Sequence, residues 1–148
     1  MVKVPTDIFI ESIDNKKIYY FSSNQLNTKI PHHFICVKRN NNDVLFMSCC
    51  TSQFETIRKF VETRSLPLAT LVYISPKDTS NPFDKDTYVN CNDIQTYTID
   101  EFRSMYESNA INYSGEISDN YYEQIITGIH SSPLIEEEIK ENIPQTIV

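Results

Sequence analysis

Two short apolar runs, "HHFICVKR" (32–39) and "VLFMSCC" (44–50), flank a polar stretch of Asn40, Asn41, Asn42 and Asp43. Strand-like runs around turn residues predict a β-hairpin. Neither run alternates cleanly between apolar and polar residues, so both strands are expected to be buried on both faces. "KKIYYFSS" (16–23), rich in aromatic and β-branched residues, reads as an earlier strand. "ATLVYISP" (69–76), "TYVNCN" (87–92) and "DIQTYTI" (93–99) read as later ones.

Helical spacing begins where start signals appear. Ser52 with Glu55 has the form of a capping box ahead of Phe54, Ile57, Phe60 and Val61. Thr98 with Glu101 repeats the form ahead of Phe102 and Met105. Ser118 is placed to cap a helix whose inward stripe is Tyr122, Ile125, Ile126 and Ile129. Ser132-Pro133 predicts the start of a last helical segment, since proline suits the first helical position. The tail "NIPQTIV" is expected to fray. Strands first and helices last make the chain α+β and mainly β. The expected architecture is a small antiparallel barrel decorated by helices.

Composition sharpens this reading. The 148 residues fit one domain, 1–148, long enough to bury a core of its own. No apolar run approaches the roughly 20 residues that span a bilayer. The N-terminus "MVKVPTDIFIESIDNKK" lacks the features of a secretory signal, so a cytoplasmic location is expected. Cys36, Cys49, Cys50 and Cys91 are then expected as reduced thiols packed like small hydrophobes. A zinc site from Cys49, Cys50 and a histidine lacks the paired ligand spacing of structural zinc, and no metal or cofactor is expected.

A net charge of −7 disfavours a nucleic-acid partner until it is divided along the chain. Residues 16–64 carry eight bases (Lys16, Lys17, Lys29, Lys38, Arg39, Arg58, Lys59, Arg64) against three acids, a balance of +5. Residues 65–148 carry four bases against fourteen acids, a balance of −10. Such asymmetry predicts one basic face on an acidic body.

The hairpin turn fixes which residues meet. A two- or four-residue loop centred on 41–42 pairs positions whose numbers sum to 83. His33 then faces Cys50, and His32 faces Thr51. Opposed side chains have Cβ atoms roughly 4.5–5.5 Å apart, within reach of an imidazole–hydroxyl contact. The same pairing also fits two histidines that merely pack.

Motif order brings in a family. His32-His33 precede the strand "FICV", a hairpin returns to "CCTSQ" (49–53), Phe83 precedes Asp86-Thr87, and "IQTYTIDEF" (94–102) opens a helix. "GEIS" and "YYEQIITGI" follow as a turn into a final helix. From about Ile18 to about Ile135 this resembles the PemK/MazF family of toxin endoribonucleases, as a divergent member. The resemblance implies an SH3-like barrel with C-terminal helices, a homodimer, and a cognate antitoxin as partner. It implies cleavage of single-stranded RNA without metal, the ribose 2′-hydroxyl attacking to leave a 2′,3′-cyclic phosphate. Neither DNA nor membrane is an expected partner. By position, Thr51 matches the threonine that hydrogen-bonds the reacting phosphate, and His32 stands where the family has an arginine. Arginine is always charged and binds bidentately, whereas histidine exchanges its proton near neutrality. The candidate catalytic set is His32, His33, Thr51 and Ser52. Lys29, Lys38, Arg39 and Arg58 are candidate phosphate contacts, expected to border one groove. Tyr19 and Tyr20 are candidate base-stacking residues. A catalytically inactive RNA-binding or interaction module of the same fold is the alternative. A metal-binding or thiol-reactive protein using His32, His33, Cys49 and Cys50 is a third class.

Overall fold

The computed structural model describes residues 3–145. The elements run α1 (Thr6–Ser12), β1 (Lys17–Phe21), β2 (His32–Arg39), β3 (Val44–Thr51) and α2 (Phe54–Thr63). A 3₁₀ turn (Leu68–Thr70) leads into β4 (Leu71–Ile74), β5 (Thr87–Asn90), β6 (Gln95–Thr98) and α3 (Ile99–Glu107). β7 (Ile111–Glu116), α4 (Asp119–Ser131) and α5 (Glu137–Asn142) complete the order. The result is α+β and mainly β: seven antiparallel strands with five helices among the described residues.

The strands follow the path β4-β5-β3-β2-β1-β7, with β6 pairing β3 off that path. β3 is the pivot. Its residues Val44–Met47 pair β6, and Cys50 and Thr51 pair β5. Among the described residues β4 and β7 do not pair, so the expected barrel is an open sheet whose halves share β3.

The β2–β3 hairpin has the expected register over Phe34↔Cys49, Ile35↔Ser48 and Cys36↔Met47. A bulge between Cys36 and Lys38 then shifts it, giving Lys38↔Phe46 and Arg39↔Leu45. The bulge absorbs the one-residue mismatch of a turn in which Asp43 adopts φ 58°. Asn40 shapes that turn, its Oδ1 accepting from the Asn42 and Val44 N–H groups, both at 2.9 Å.

Both faces of the hairpin are buried, as its lack of alternation predicts. Phe34, Cys36, Leu45 and Met47 join Tyr19, Phe21, Phe102 and Phe9 in one core, covered by α1 and α3. Ile35, Val37, Phe46 and Cys50 join Ile125, Ile126 and Ile129 of α4 in the other. α4 lies so close to the 3₁₀ turn that a Cβ on Gly128 would sit 2.5 Å from the Ala69 carbonyl oxygen. Only glycine fits there.

Several expectations change. The inward stripe of α4 is led by Tyr121, while half-buried Tyr122 donates its hydroxyl to the Val37 carbonyl at 2.6 Å. The last helix begins at Glu137, because the Ser132 hydroxyl is drawn to Asn92 Oδ1 at 2.6 Å. Pro133 lies in the turn before it. In the tail, Ile143 is buried and its carbonyl pairs with His130 Nε2; Thr146, Ile147 and Val148 lie outside the described residues. No helix among the described residues is long and apolar enough to cross a membrane.

Candidate active site

The first residue of β2 and the last of β3 sit at one end of the hairpin. Continuing the register from Phe34↔Cys49 puts His32 across from Thr51 on one sheet face and His33 across from Cys50 on the other. His32 and Thr51 line a cavity of about 320 Å³ together with Leu26, Thr28, Cys49 and Phe60. Beside it runs a wider groove of about 890 Å³, which His32 and Thr51 also line, joined by Tyr20, His33, Ser52 and Lys85. All four candidate catalytic residues therefore border one groove at the end of the sheet.

Hydrogen bonds assign their states. His32 Nδ1 lies 2.8 Å from the Ile30 carbonyl oxygen, which can only accept, so Nδ1 carries the proton. In the neutral ring Nε2 is then the acceptor. Thr51 Oγ1 accepts from the Gln53 N–H at 3.0 Å, which leaves the hydroxyl proton available for a ligand. Ser52 is exposed, and its carbonyl accepts from the Phe54 N–H at 3.1 Å. The expected Ser52–Glu55 capping box is not formed. Gln53 is the N-cap, and Glu55 turns to Arg58 at 2.6 Å.

His33 has a different environment. Its ring lies 4.7 Å from that of Tyr20 and edge-on to Phe83 at 5.4 Å. Burial lowers its pKa below the usual histidine value; Asp84 opposes this shift, while Lys85 and His32 add to it. His33 is therefore neutral at pH 7.

The remaining candidates divide. Tyr20 is exposed and faces the groove. Tyr19 does not, being fully buried against Phe9 and Phe102, where no base can reach it. Lys29 is exposed, between two groove residues, Thr28 and Ile30. Lys38 and Arg39 lie at the far end of β2, roughly 20 Å from His32 at a strand's rise per residue. Arg39 is engaged there, donating to the carbonyls of Ile10 at 2.6 Å and Ile13 at 3.1 Å and pairing with Asp43 at 3.0 Å. Arg58 is held by Glu55 and by Glu62 at 2.7 Å. The four bases thus do not border one groove. Sequence reasoning missed Lys85, which no local pattern marks. The loop from Ser75 to Asp86 carries it there, folded on Asn81 Nδ2 bonds to the carbonyls of Ser75 at 3.0 Å and Asp78 at 2.7 Å.

The thiol-reactive class fares poorly. Cys49 and Cys50 point to opposite faces, and burial pushes the Cys49 thiol up to about 12 and the Cys50 thiol well above its usual value. Neither supplies a thiolate near pH 7. Among the described residues, no three His, Cys, Asp or Glu side chains are grouped to hold a metal ion.

The sequence matches no family model and no curated protein. Its architecture is similar to a solved structure described as an endoribonuclease in complex with its cognate antitoxin, from a mycobacterial species. The TM-score is 0.51 at 14% identity, over 91% of this chain and 100% of that one. The two share a fold. At that identity the likeness extends to the fold alone.

Proposed function

We propose that this protein is a toxin-type endoribonuclease of the PemK/MazF kind, cutting single-stranded RNA without a metal and restrained by a cognate antitoxin. The observation that carries the reading is that His32 and Thr51 share one sheet face and one cavity, in the fold of an endoribonuclease solved with its antitoxin. His32 Nε2 takes the proton from the ribose 2′-hydroxyl as its oxygen attacks the adjacent phosphorus. The Thr51 hydroxyl donates a hydrogen bond to a non-bridging phosphate oxygen, where charge grows in the transition state. The bond from phosphorus to the 5′-oxygen breaks, that oxygen leaves with a proton from solvent, and a 2′,3′-cyclic phosphate remains. His33, neutral and wedged between aromatic rings, shapes the groove wall and is poorly suited to serve as the acid. A homodimer belongs to the same proposal, the second copy extending the groove.

The sparse positive charge of the groove favours one other reading. Among the described residues Lys85 is the only lysine or arginine in its lining, and it stands beside Asp84. A binding module that does not cut would need no more.

Cleavage of a single-stranded RNA by purified protein separates the two. Thr51→Ala is expected to lower kcat more than it raises KM, because its bond is strongest in the transition state. His32→Ala removes the base, a loss of about 10²–10⁴-fold. His32→Arg restores the family's residue but cannot exchange a proton at neutral pH, so it too is expected to be inactive. An active arginine variant would reassign His32 to charge stabilisation. Full cleavage by the Thr51→Ala, His32→Ala double variant would place the chemistry elsewhere.

A further inference from the structure

Beyond Thr51 the sheet carries a row of rings that neither the catalytic assignment nor the hairpin explains. Tyr88 of β5 pairs directly with Thr51 on one side and with Tyr73 of β4 on the other. Directly paired residues share a sheet face, so Thr51, Tyr88 and Tyr73 form a line across three strands. Phe54, at the start of α2, adds a third ring. Its centroid lies 5.0 Å from that of Tyr88, and Tyr73 lies 5.3 Å from Tyr88 on the far side, with interplanar angles of 43° and 32°. Phe54 is 39% exposed and Tyr73 46%, with Tyr88 half-buried between them. Single exposed aromatics are ordinary, whereas three in contact make a surface. The Tyr73 hydroxyl donates to Asp86 Oδ1 at 2.7 Å, which fixes the outermost ring in place.

We infer that Phe54, Tyr88 and Tyr73 form a stacking platform for the unpaired bases of the RNA strand whose phosphate is held at Thr51. This assignment rests on the endoribonuclease reading. The spacing decides how a base meets the rings. Inserting one between two rings needs two contacts of roughly 3.5–4 Å, or about 7 Å in all, more than the row offers. Bases therefore lie on the outer faces of the rings. A fixed aromatic surface suits this, since every base has a π-face and stacking is tolerant of sequence. Position favours nucleic acid over a protein partner: Tyr88 lies opposite the hydroxyl proposed to hold the phosphate, so a strand bound there passes over it. On the other sheet face, Tyr20, His33 and Phe83 of the groove lining form a second aromatic cluster.

The test uses the full chain and a labelled single-stranded 2′-O-methyl oligonucleotide of mixed sequence, which lacks the attacking hydroxyl. Tyr73→Leu and Tyr88→Leu are each expected to weaken binding about tenfold, as loss of one stacked base does. Tyr73→Phe and Tyr88→Phe keep the rings and should bind within about twofold of wild type. A series of oligonucleotides, each with one abasic position, gives an independent reading on the wild-type protein. One position should cost about tenfold there and nothing further in Tyr73→Leu, because interacting partners are not additive. Wild-type affinity in a folded Tyr73→Leu variant, an abasic series with no sensitive position, or no binding at all would overturn the platform. The first of these would leave the rings to a protein partner. Cleavage of ordinary RNA is measured alongside. Ring-dependent binding without cleavage would sink the enzyme reading and keep the platform; cleavage with ring-independent binding would do the reverse.

Discussion

His32 and His33 are neighbours in sequence with opposite assignments, and the difference arises from which side of β2 each occupies. His32 opens toward Thr51 with Nδ1 fixed on a backbone carbonyl, while His33 is pressed between Tyr20 and Phe83. The lowered pKa of His33 has a consequence for stability. Its folded value lies below the roughly 6.5 of an unfolded histidine, so in the interval between them the unfolded chain binds more protons than the folded one. This contribution to stability is complete above about pH 6.5 and is lost as pH falls toward the folded value. His33→Phe keeps an aromatic ring and removes the titration. Urea midpoints of wild type should therefore fall more steeply between pH 7.5 and pH 5 than those of His33→Phe. Parallel profiles would show that burial does not hold His33 neutral.

At the scale of elements, two sequences of the same form, Ser52-x-x-Glu55 and Thr98-x-x-Glu101, end differently. Thr98 makes the full box, its hydroxyl accepting from the Glu101 N–H at 3.1 Å and Glu101 Oε1 accepting from the Thr98 N–H at 3.0 Å. At the other site Thr51 accepts the Gln53 N–H, Arg58 draws Glu55 away, and α2 starts one residue later. Thr98→Ala should cost about 1 kcal/mol, read from denaturant midpoints. Ser52→Ala should change stability by no more than about 0.5 kcal/mol, because Ser52 is exposed and caps nothing. Equal losses at both positions would contradict the difference. The comparison also shows what local pattern conveys. The hairpin strands and α3 were legible because their partners lie within a few residues or in the opposing strand. α1 went unread because its seven residues carry no side-chain cap and bury only Phe9 and Ile10. β7 went unread because just one of its six residues is buried and Gly115, at φ 114°, interrupts it. β7 exists because β1 offers it an edge, and that is a fact of tertiary structure.

Across the whole molecule, the candidate site follows the same rule. His32 facing Thr51 came from a local register, and the structure brings both to one cavity. Lys85 and the row of Tyr88 and Tyr73 depend on β5 pairing β3 and β4 across long loops, so no spacing announced them. The charge pattern misled in the opposite way. An excess of bases over residues 16–64 is real, but Arg39 secures α1 and Arg58 is held by two glutamates, so the excess does not become a basic face at the groove. For the RNA strand proposed above, two lysines of the described residues are placed to meet phosphates, Lys85 in the groove lining and exposed Lys29 between the lining residues Thr28 and Ile30. Each phosphate neutralised on single-stranded nucleic acid contributes about −0.7 to the slope of log affinity against log salt, so two give about −1.4. A homodimer that doubles the groove raises this to about −2.8. Stacking on apolar rings carries little salt dependence, and the body's charge of −7 works against long-range attraction. Anisotropy titrations of the 2′-O-methyl oligonucleotide between 50 and 200 mM salt should therefore give a shallow slope. Lys85→Gln should make it shallower by about 0.7 for each groove, while Lys38→Gln should leave it unchanged. A slope of about −4 or steeper requires some six phosphate contacts. That result would move the RNA to a different face of the protein.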